Sequence, residues 1–398
     1  MNREDFPMLQ KNIIYFDNGA TTLKPKAVIN KIVDYYENYS ANAHRGDYDI
    51  SLKVDEEYES TRDVVKDFIN AEDRREIIFT SGSTDSLNLV VSGFMEHYLH
   101  ENDEVLITKA EHASLVLPFM ELSKRKHIKV NYIPLDENHL LSYESVVKSI
   151  TPNTKVIALA HVTNVIGDIR PLEQIGALCK KNGIIFLVDG AQSTAHVKTD
   201  VKKNNIDFLT FSAHKMLGPT GVGVLYGKMK YLEEMYPTKF GGGMNQSFES
   251  TGDTVYKSVP TCFEAGTPPI AEVLGMKEAI LYLERIGMEN IQKQERMLHD
   301  YFLEQAKDIP NLILYNKESN GSIVAFNLDG VFSQDTAVYL NHYHICVRAG
   351  NHCAKILKDD LGISNTCRLS FYFYNTKEEL DKLIEVLKNS KDLFKVVI

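Results

Sequence analysis

The chain has 398 residues, with 44 basic and 54 acidic side chains and a formal net charge of −10. That acid excess argues against a general nucleic-acid or anionic-membrane surface, while leaving room for a local basic pocket. The length exceeds one small core and predicts two domains, or one large domain with an appendage.

Strand-like apolar runs alternate with amphipathic patterns from about residue 60 to 230. The runs at 76–80, 104–108, 129–133, 155–159, 184–188, 208–211 and 222–226 read as strands. Residues 61–70, 86–100, 115–125 and 172–181 read as the helices between them. This alternation predicts an α/β fold with a mainly parallel sheet covered by helices. Pro268-Pro269 opens a long helical pattern over 271–285, interrupted near Gly287 and resumed to about Lys307. Proline at the first helical positions fits a helix start. Shorter strands (312–315, 322–326, 368–372) and helices (333–343, 376–389) follow, an α+β pattern. The expected division is a large domain over 15–265, connecting helices over 266–308, and a small α+β domain from 1–14 and 309–398. Gly241-Gly-Gly243 and the Met-Asn-Gln-Ser-Phe after it read as a loop.

The five cysteines are Cys179, Cys262, Cys346, Cys353 and Cys367, an odd number with no C-x-x-C pair. Neither a disulfide framework nor a structural zinc site is expected. Reduced thiols fit a cytosol. The start, Met1-Asn-Arg-Glu-Asp-Phe-Pro7, lacks the apolar core of a signal peptide. No apolar run approaches the roughly 20 residues that span a membrane. A cytoplasmic protein with no membrane contact is therefore expected.

Chemistry concentrates at strand ends, where α/β proteins bind ligands. Asp189 closes the 184–188 run, and Ser212-Ala-His-Lys215 closes the 208–211 run. A lysine placed there can form a Schiff base, and an acid nearby can hold a pyridinium nitrogen protonated. Those are the two protein groups that pyridoxal phosphate most needs. Alone, Lys215 would read as a solvated cap and Asp189 as a helix N-cap. Their pairing, with Gln192 three residues after Asp189, favours function. Gly218-Pro-Thr-Gly-Val-Gly223 fails as a P-loop, because Val224 stands where the lysine should be.

Thr80-Ser-Gly-Ser-Thr-Asp85, between a strand and a helix, offers amides and hydroxyls to a phosphate; by itself it is an ordinary capped turn. His112 and the His161-Val-Thr-Asn164 turn end two further strands. A histidine in such a position is more often structural, but the ring of His112 could stack on a cofactor. Asn164 could donate to an oxygen of cofactor or substrate. Downstream, Cys353 sits among Gly350, Asn351 and His352, in a segment that reads as an exposed loop. A neighbouring arginine or histidine favours its reactive thiolate. Cys346 and Cys179 read as packing residues. Arg368 opens a strand, and a guanidinium there could grip a substrate carboxylate with two hydrogen bonds. The alternative is a surface ion pair.

Together these segments resemble a class V aminotransferase-type enzyme of pyridoxal phosphate fold type I. More narrowly, they resemble a group II, SufS-like cysteine desulfurase. The likeness runs from Tyr15-Phe-Asp-Asn-Gly-Ala-Thr21 to Tyr374-Asn-Thr-Lys377. It includes Ala43-His-Arg-Gly46, Glu111-His112, His161-Val-Thr-Asn-Val-Ile-Gly167, Val188-Asp-Gly-Ala-Gln192, Phe263-Glu-Ala-Gly-Thr-Pro268 and Arg348-Ala-Gly-Asn-His-Cys-Ala354.

The resemblance implies a seven-stranded large-domain sheet and a set of roles. Lys215 would hold the cofactor covalently, Asp189 would face its ring nitrogen, and Gln192 its ring oxygen. His112 would stack on the ring and take part in catalysis. Thr84, Ser212 and His214 would hold the phosphate. Thr267 would reach the cofactor of a second subunit, which implies a homodimer. Asn164 and Arg368 would bind the substrate carboxylate, with Arg348 nearby and His44 and Arg45 at the entrance. Cys353 would accept sulfur from L-cysteine, leaving L-alanine. An acceptor protein of the SUF pathway would take that sulfur for iron–sulfur cluster assembly. Many relatives carry a second histidine where Asn351 stands and a glutamate where Asp85 stands. The short segment around Cys353 implies a more confined cysteine than the mobile loop of group I enzymes.

Selenocysteine lyase activity would use much the same residues. Transamination or kynurenine cleavage would not need Cys353. A non-catalytic sulfur scaffold would not need Lys215, Asp189 and Arg368 together.

Overall fold

The computed structural model of the chain describes residues 2–390 and residue 393. The first seven apolar runs form one sheet. Its strand order is Ile77–Thr80, Gly223–Gly227, Phe208–Ser212, Ile185–Asp189, Thr154–Ala160, Glu104–Ile107, Lys129–Tyr132. From Phe208–Ser212 to the Lys129–Tyr132 edge every neighbouring pair is parallel. Gly223–Gly227 runs antiparallel to both of its neighbours, so the sheet is mixed. Its central strands are apolar throughout because both faces are covered. Phe186 and Val188 pack into one hydrophobic cluster, while Ile185 and Leu187 pack into another on the opposite face, the period of two that a pleated strand imposes.

A second sheet is antiparallel, in the order Leu312–Leu314, Ile323–Leu328, Thr366–Ser370, Arg348–Gly350. It has its own core, which includes Phe16, Phe302, Tyr339 and Leu369. Helices Ile270–Ile286 and Met288–Ala306 lie between the two sheets in sequence and meet at Gly287, whose φ is +86°. The first residues of the chain join the later half: Ile14–Tyr15 pairs in parallel with Ile345–Cys346, and Asp17 bridges to Ser370.

Several elements differ from the sequence expectation. The helix expected over 61–70 spans Asp49–Ile69, and helices Lys26–Asn38 and Tyr143–Ser149 were not anticipated. The pattern over 86–100 is broken by a π-helical stretch, Val91–Met95. There a Cβ on Gly93 would lie 2.4 Å from the Tyr236 carbonyl oxygen, so only glycine fits. The segment read as a loop after Gly243 contains the strand Asn245–Phe248, paired with Thr254–Tyr256 as an exposed hairpin. No helix among the described residues is long and apolar enough to cross a membrane. All five cysteines are free.

Candidate active site

The carboxyl ends of the parallel strands open into a cavity of about 290 Å³, lined by nineteen residues from both sheets and from residues 19–20. Asp189 is the last residue of its strand. Lys215 follows the neighbouring parallel strand in a single 3₁₀ turn, Ala213–Lys215. That turn is held by the His214 carbonyl, which accepts from the Thr22 amide and from Lys24 Nζ at 2.8 Å. Burial lowers the Lys215 amine to about 8, although the Asp189 carboxylate opposes the shift. A larger share of neutral, nucleophilic amine is available near neutral pH than an exposed lysine would give. Asp189 is buried, and burial raises its carboxyl pKa. Both hydrogen bonds it receives, from the Ala191 amide (2.9 Å) and the Ser83 hydroxyl (3.3 Å), go to Oδ1.

Opposite the lysine, helix Ser83–Val90 points its amino end into the cavity. Gly82 precedes it at φ +152°, and the Ser83 amide donates to Ser212 Oγ at 2.7 Å. Thr84 Oγ1 lies 2.7 Å from Ser114 Oγ. A helix terminus ringed by hydroxyls suits a phosphate. Asp85 stands back from this cup, accepting from the Ser81 amide and pairing with Lys239 at 2.7 Å.

His112 Nδ1 accepts from the Ser114 amide at 3.1 Å and so caps helix Ala113–Lys126. Its proton therefore sits on Nε2. Burial, with the charges of Lys215 and Arg368, pushes this ring down to about 4, so it stays neutral. The turn before it is fixed from below. Glu111 and Arg170 form a fully buried ion pair, with Thr108 Oγ1 accepting from Arg170 at 2.8 Å and the Ala160 amide donating to Glu111 at 2.8 Å. His214 also lines the cavity and is pushed down to about 4 by burial. Gln192 donates to the Gly19 carbonyl at 2.8 Å.

The far wall comes from the second sheet. Arg368 is buried and paired in register with Arg348 on the next strand. Its Nη1 donates to the Asn164 carbonyl at 3.0 Å and its Nη2 to Asp17 at 3.3 Å. Asp17 also lies 3.9 Å from Arg348. A Cβ on Gly19 would sit 3.1 Å from the Arg368 guanidinium, so glycine leaves room for it. Arg368 Nε, Asn164 Oδ1 and His352 Nδ1 are all buried without a partner, and all three residues line the cavity. Unpaired buried polar groups are costly and mark a place for a ligand.

Cys353 lies on the segment between strand Arg348–Gly350 and helix Lys355–Asp360. It is exposed and lines the same cavity. Its amide donates to Asn351 Oδ1 at 3.1 Å, and its carbonyl accepts from the Ala113 amide at 2.8 Å. Asn351 thus serves the backbone of the turn.

Of the sequence-derived candidates, Lys215, Cys353, His112, Thr84, Asp189, Gln192, Ser212, His214, Asn164, Arg348 and Arg368 come together here. Thr267, His44 and Arg45 do not line the cavity. Thr267 lies in a separate cleft with Tyr58 and Glu264, His44 is 3.3 Å from Glu59, and the Arg45 guanidinium lies beside Gly242. Sequence reading assigned no role to Asp17 or Ser114; it took Ser83 only as part of the 80–85 phosphate segment and His352 only as a neighbour of Cys353. Asp17 closes an apolar run much as Asp189 does, and that was the signal available for it.

The donor set fits pyridoxal phosphate: an amine with a lowered pKa, a buried carboxylate with one oxygen unengaged, and a hydroxyl-rimmed helix terminus. Comparisons with known proteins agree. The chain is 42% identical over 398 residues to a probable cysteine desulfurase of Staphylococcus aureus (strain Mu50 / ATCC 700699), covering 98% of this chain and 96% of that protein. It is 41% identical to a probable cysteine desulfurase of Halalkalibacterium halodurans, with 98% and 97% covered. Its structure is similar to that of a cysteine desulfurase from Thermococcus onnurineus NA1, with a TM-score of 0.93 at 37% identity over 97% of this chain and 96% of that one. It also resembles the cysteine desulfurase CsdA of Escherichia coli, with a TM-score of 0.92 at 33% identity over 98% of both chains. The family described as Aminotransferase class-V matches residues 14–383, and the chain belongs to that family of pyridoxal phosphate-dependent enzymes.

Proposed function

We propose that the chain is a SufS-like, group II cysteine desulfurase that moves the sulfur of L-cysteine onto Cys353 and releases L-alanine. The observation that carries this reading is that Cys353 shares one cavity with Lys215, Asp189 and Arg368. A transaminase has no use for an exposed cysteine at that place. The names of these two relatives support the same reading.

The residues divide the work. Lys215 would bind the cofactor aldehyde, and Asp189 would serve its ring nitrogen. Ser83, Thr84, Ser212 and His214 would hold the phosphate, Gln192 would serve the ring oxygen, and neutral His112 would cover a ring face. When bound, pyridoxal phosphate is the electron sink for charge left at the substrate α-carbon. Arg368 and Asn164 hold the substrate carboxylate, using the Arg368 Nε–H that is otherwise unpartnered. Arg348 adds positive charge to the cavity wall. Lys215 Nζ would take the proton from the substrate α-carbon and return one. Cys353 Sγ, as the thiolate, bonds to the substrate sulfur as the Cβ–S bond breaks, and Cβ gains a proton to become the methyl group of L-alanine. Cys353 leaves this step as a persulfide.

We further propose a homodimer in which Thr267 reaches the partner's cofactor phosphate. Its position outside the cavity of its own chain supports this. So do exposed Ile29, Val33 and Tyr36 on helix Lys26–Asn38 and exposed Phe248 on the hairpin. The persulfide sulfur would pass, in the cytoplasm, to an acceptor protein of the SUF pathway for iron–sulfur cluster assembly. Incubating the purified holoprotein with L-cysteine and a reductant tests the activity: alanine and sulfide in equal amounts support it, and pyruvate or no product refutes it.

A further inference from the structure

Beneath the cysteine segment lies a network that the reaction as described does not use. Lys358 is fully buried on helix Lys355–Asp360, one turn after Cys353. Its Nζ donates to Thr366 Oγ1 at 2.5 Å. Among the described residues no carboxylate pairs with it; the neighbouring acids Asp359 and Asp360 pair with Lys355 and Lys109. Burying a lysine without a counter-ion is unfavourable. Burial, and next the Arg368 charge, lower the Lys358 amine to about 8. A residue kept at that cost invites a reason.

Thr366 leads from the lysine to the catalytic segment. It is fully buried, and its hydroxyl and carbonyl oxygens each lie 3.0 Å from His352 Nε2. His352 Nδ1 has no partner, so Thr366 is the ring's polar tether. His352 and Cys353 have φ of +53° and +55°, successive left-handed residues with side chains. Such backbone persists only where its surroundings hold it.

We propose that Lys358 is a positioning residue for Cys353: through Thr366 it fixes the His352 ring, and so the left-handed turn that presents the sulfur to the cavity. The Thr366 carbonyl only accepts, so the ring proton of His352 sits on Nε2 and points at the two Thr366 oxygens. An ammonium only donates, so Lys358 holds Thr366 Oγ1 as an acceptor and turns the hydroxyl's own proton away from the ring. A methionine at 358 would fill similar volume and leave the hydroxyl free to rotate. This inference rests on the proposed role of Cys353 and deepens it.

The test uses holoenzyme carrying Lys358→Met, Thr366→Val, Thr366→Ser, or the first two together. A misplaced nucleophile lowers kcat by about tenfold or more while KM stays within about twofold, because the carboxylate grip is untouched. Thr366→Ser keeps the hydroxyl and behaves as wild type, and the double variant is no worse than the poorer single one. Without substrate, iodoacetamide alkylates Cys353 faster in Lys358→Met and Thr366→Val, read by peptide mass. Unchanged kcat and alkylation in Lys358→Met overturn the proposal, as do additive losses in the double variant. If Lys358→Met does not fold, Thr366→Val against Thr366→Ser decides the matter in the same way. Full activity in Cys353→Ser would refute the sulfur-acceptor role, whereas the alkylation rates would still report on Lys358.

Discussion

The side-chain Nδ2 of Asn164 donates to the backbone carbonyl of His352 at 2.6 Å, joining a loop of the large sheet to the residue before Cys353. The same Asn164 accepts from Arg368 through its own carbonyl. One residue thus sets the cysteine segment and Arg368 relative to each other. Replacing Asn164 with Ala leaves the buried His352 carbonyl unpaired, at about 1–3 kcal/mol. Steady-state kinetics on L-cysteine should show kcat/KM lower by roughly five- to hundredfold, with KM raised because the amide proposed to hold the substrate carboxylate is lost as well, while the Asn164 backbone carbonyl still accepts from Arg368.

Lys215 gives a pH dependence whose sign is fixed by burial. Its amine is lowered to about 8 from an ordinary 10.5. Cofactor capture by the apoprotein needs the neutral amine, so its rate should climb with pH up to about 8 and level off above. Between the folded and unfolded values the unfolded chain binds more protons. The lysine therefore costs the apoprotein most stability below pH 8, and the cost fades as pH rises toward 10.5. Stopped-flow absorbance after mixing with pyridoxal phosphate measures the first effect. A capture rate flat from pH 6.5 to 8.5 would refute it.

The Glu111–Arg170 pair is fully buried on both sides. Arg170→Ala leaves Glu111 charged and uncompensated beneath His112, which should cost about 3–5 kcal/mol. Denaturant unfolding of the apoprotein should show that loss in the midpoint. A change under 1 kcal/mol would mean the carboxylate finds other partners.

Thr267 tests the assembly. Light scattering should give the mass of two chains for both wild type and Thr267→Ala. The variant should release cofactor more readily on dialysis, because each site loses a hydroxyl contributed by its partner. A monomeric holoenzyme would refute the assignment.

The strand ends were legible because buried parallel strands are continuous apolar runs, and Asp189 and Lys215 interrupt them at the carboxyl ends. The hairpin Asn245–Phe248 was not, because its strand is mostly exposed and polar and has no apolar alternation to reveal it. Helix Asp49–Ile69 looked shorter because its first half carries exposed charged residues around few buried ones. Asp17 and His352 escaped assignment because their roles arise from contacts far along the chain, with Arg368 and Asn164. Lys358 gave no signal either: a lysine shortly after Cys353 reads as solvated, and only the fold shows it buried.

Cys353 carries the central claim. Intact mass spectrometry of the holoenzyme after brief exposure to L-cysteine, without reductant, tests it most directly. Wild type should gain the mass of one sulfur atom, located by peptide mapping at Cys353, and Cys353→Ser should gain none and form almost no alanine. Undiminished alanine production by Cys353→Ser, or added sulfur on another cysteine, would contradict the account.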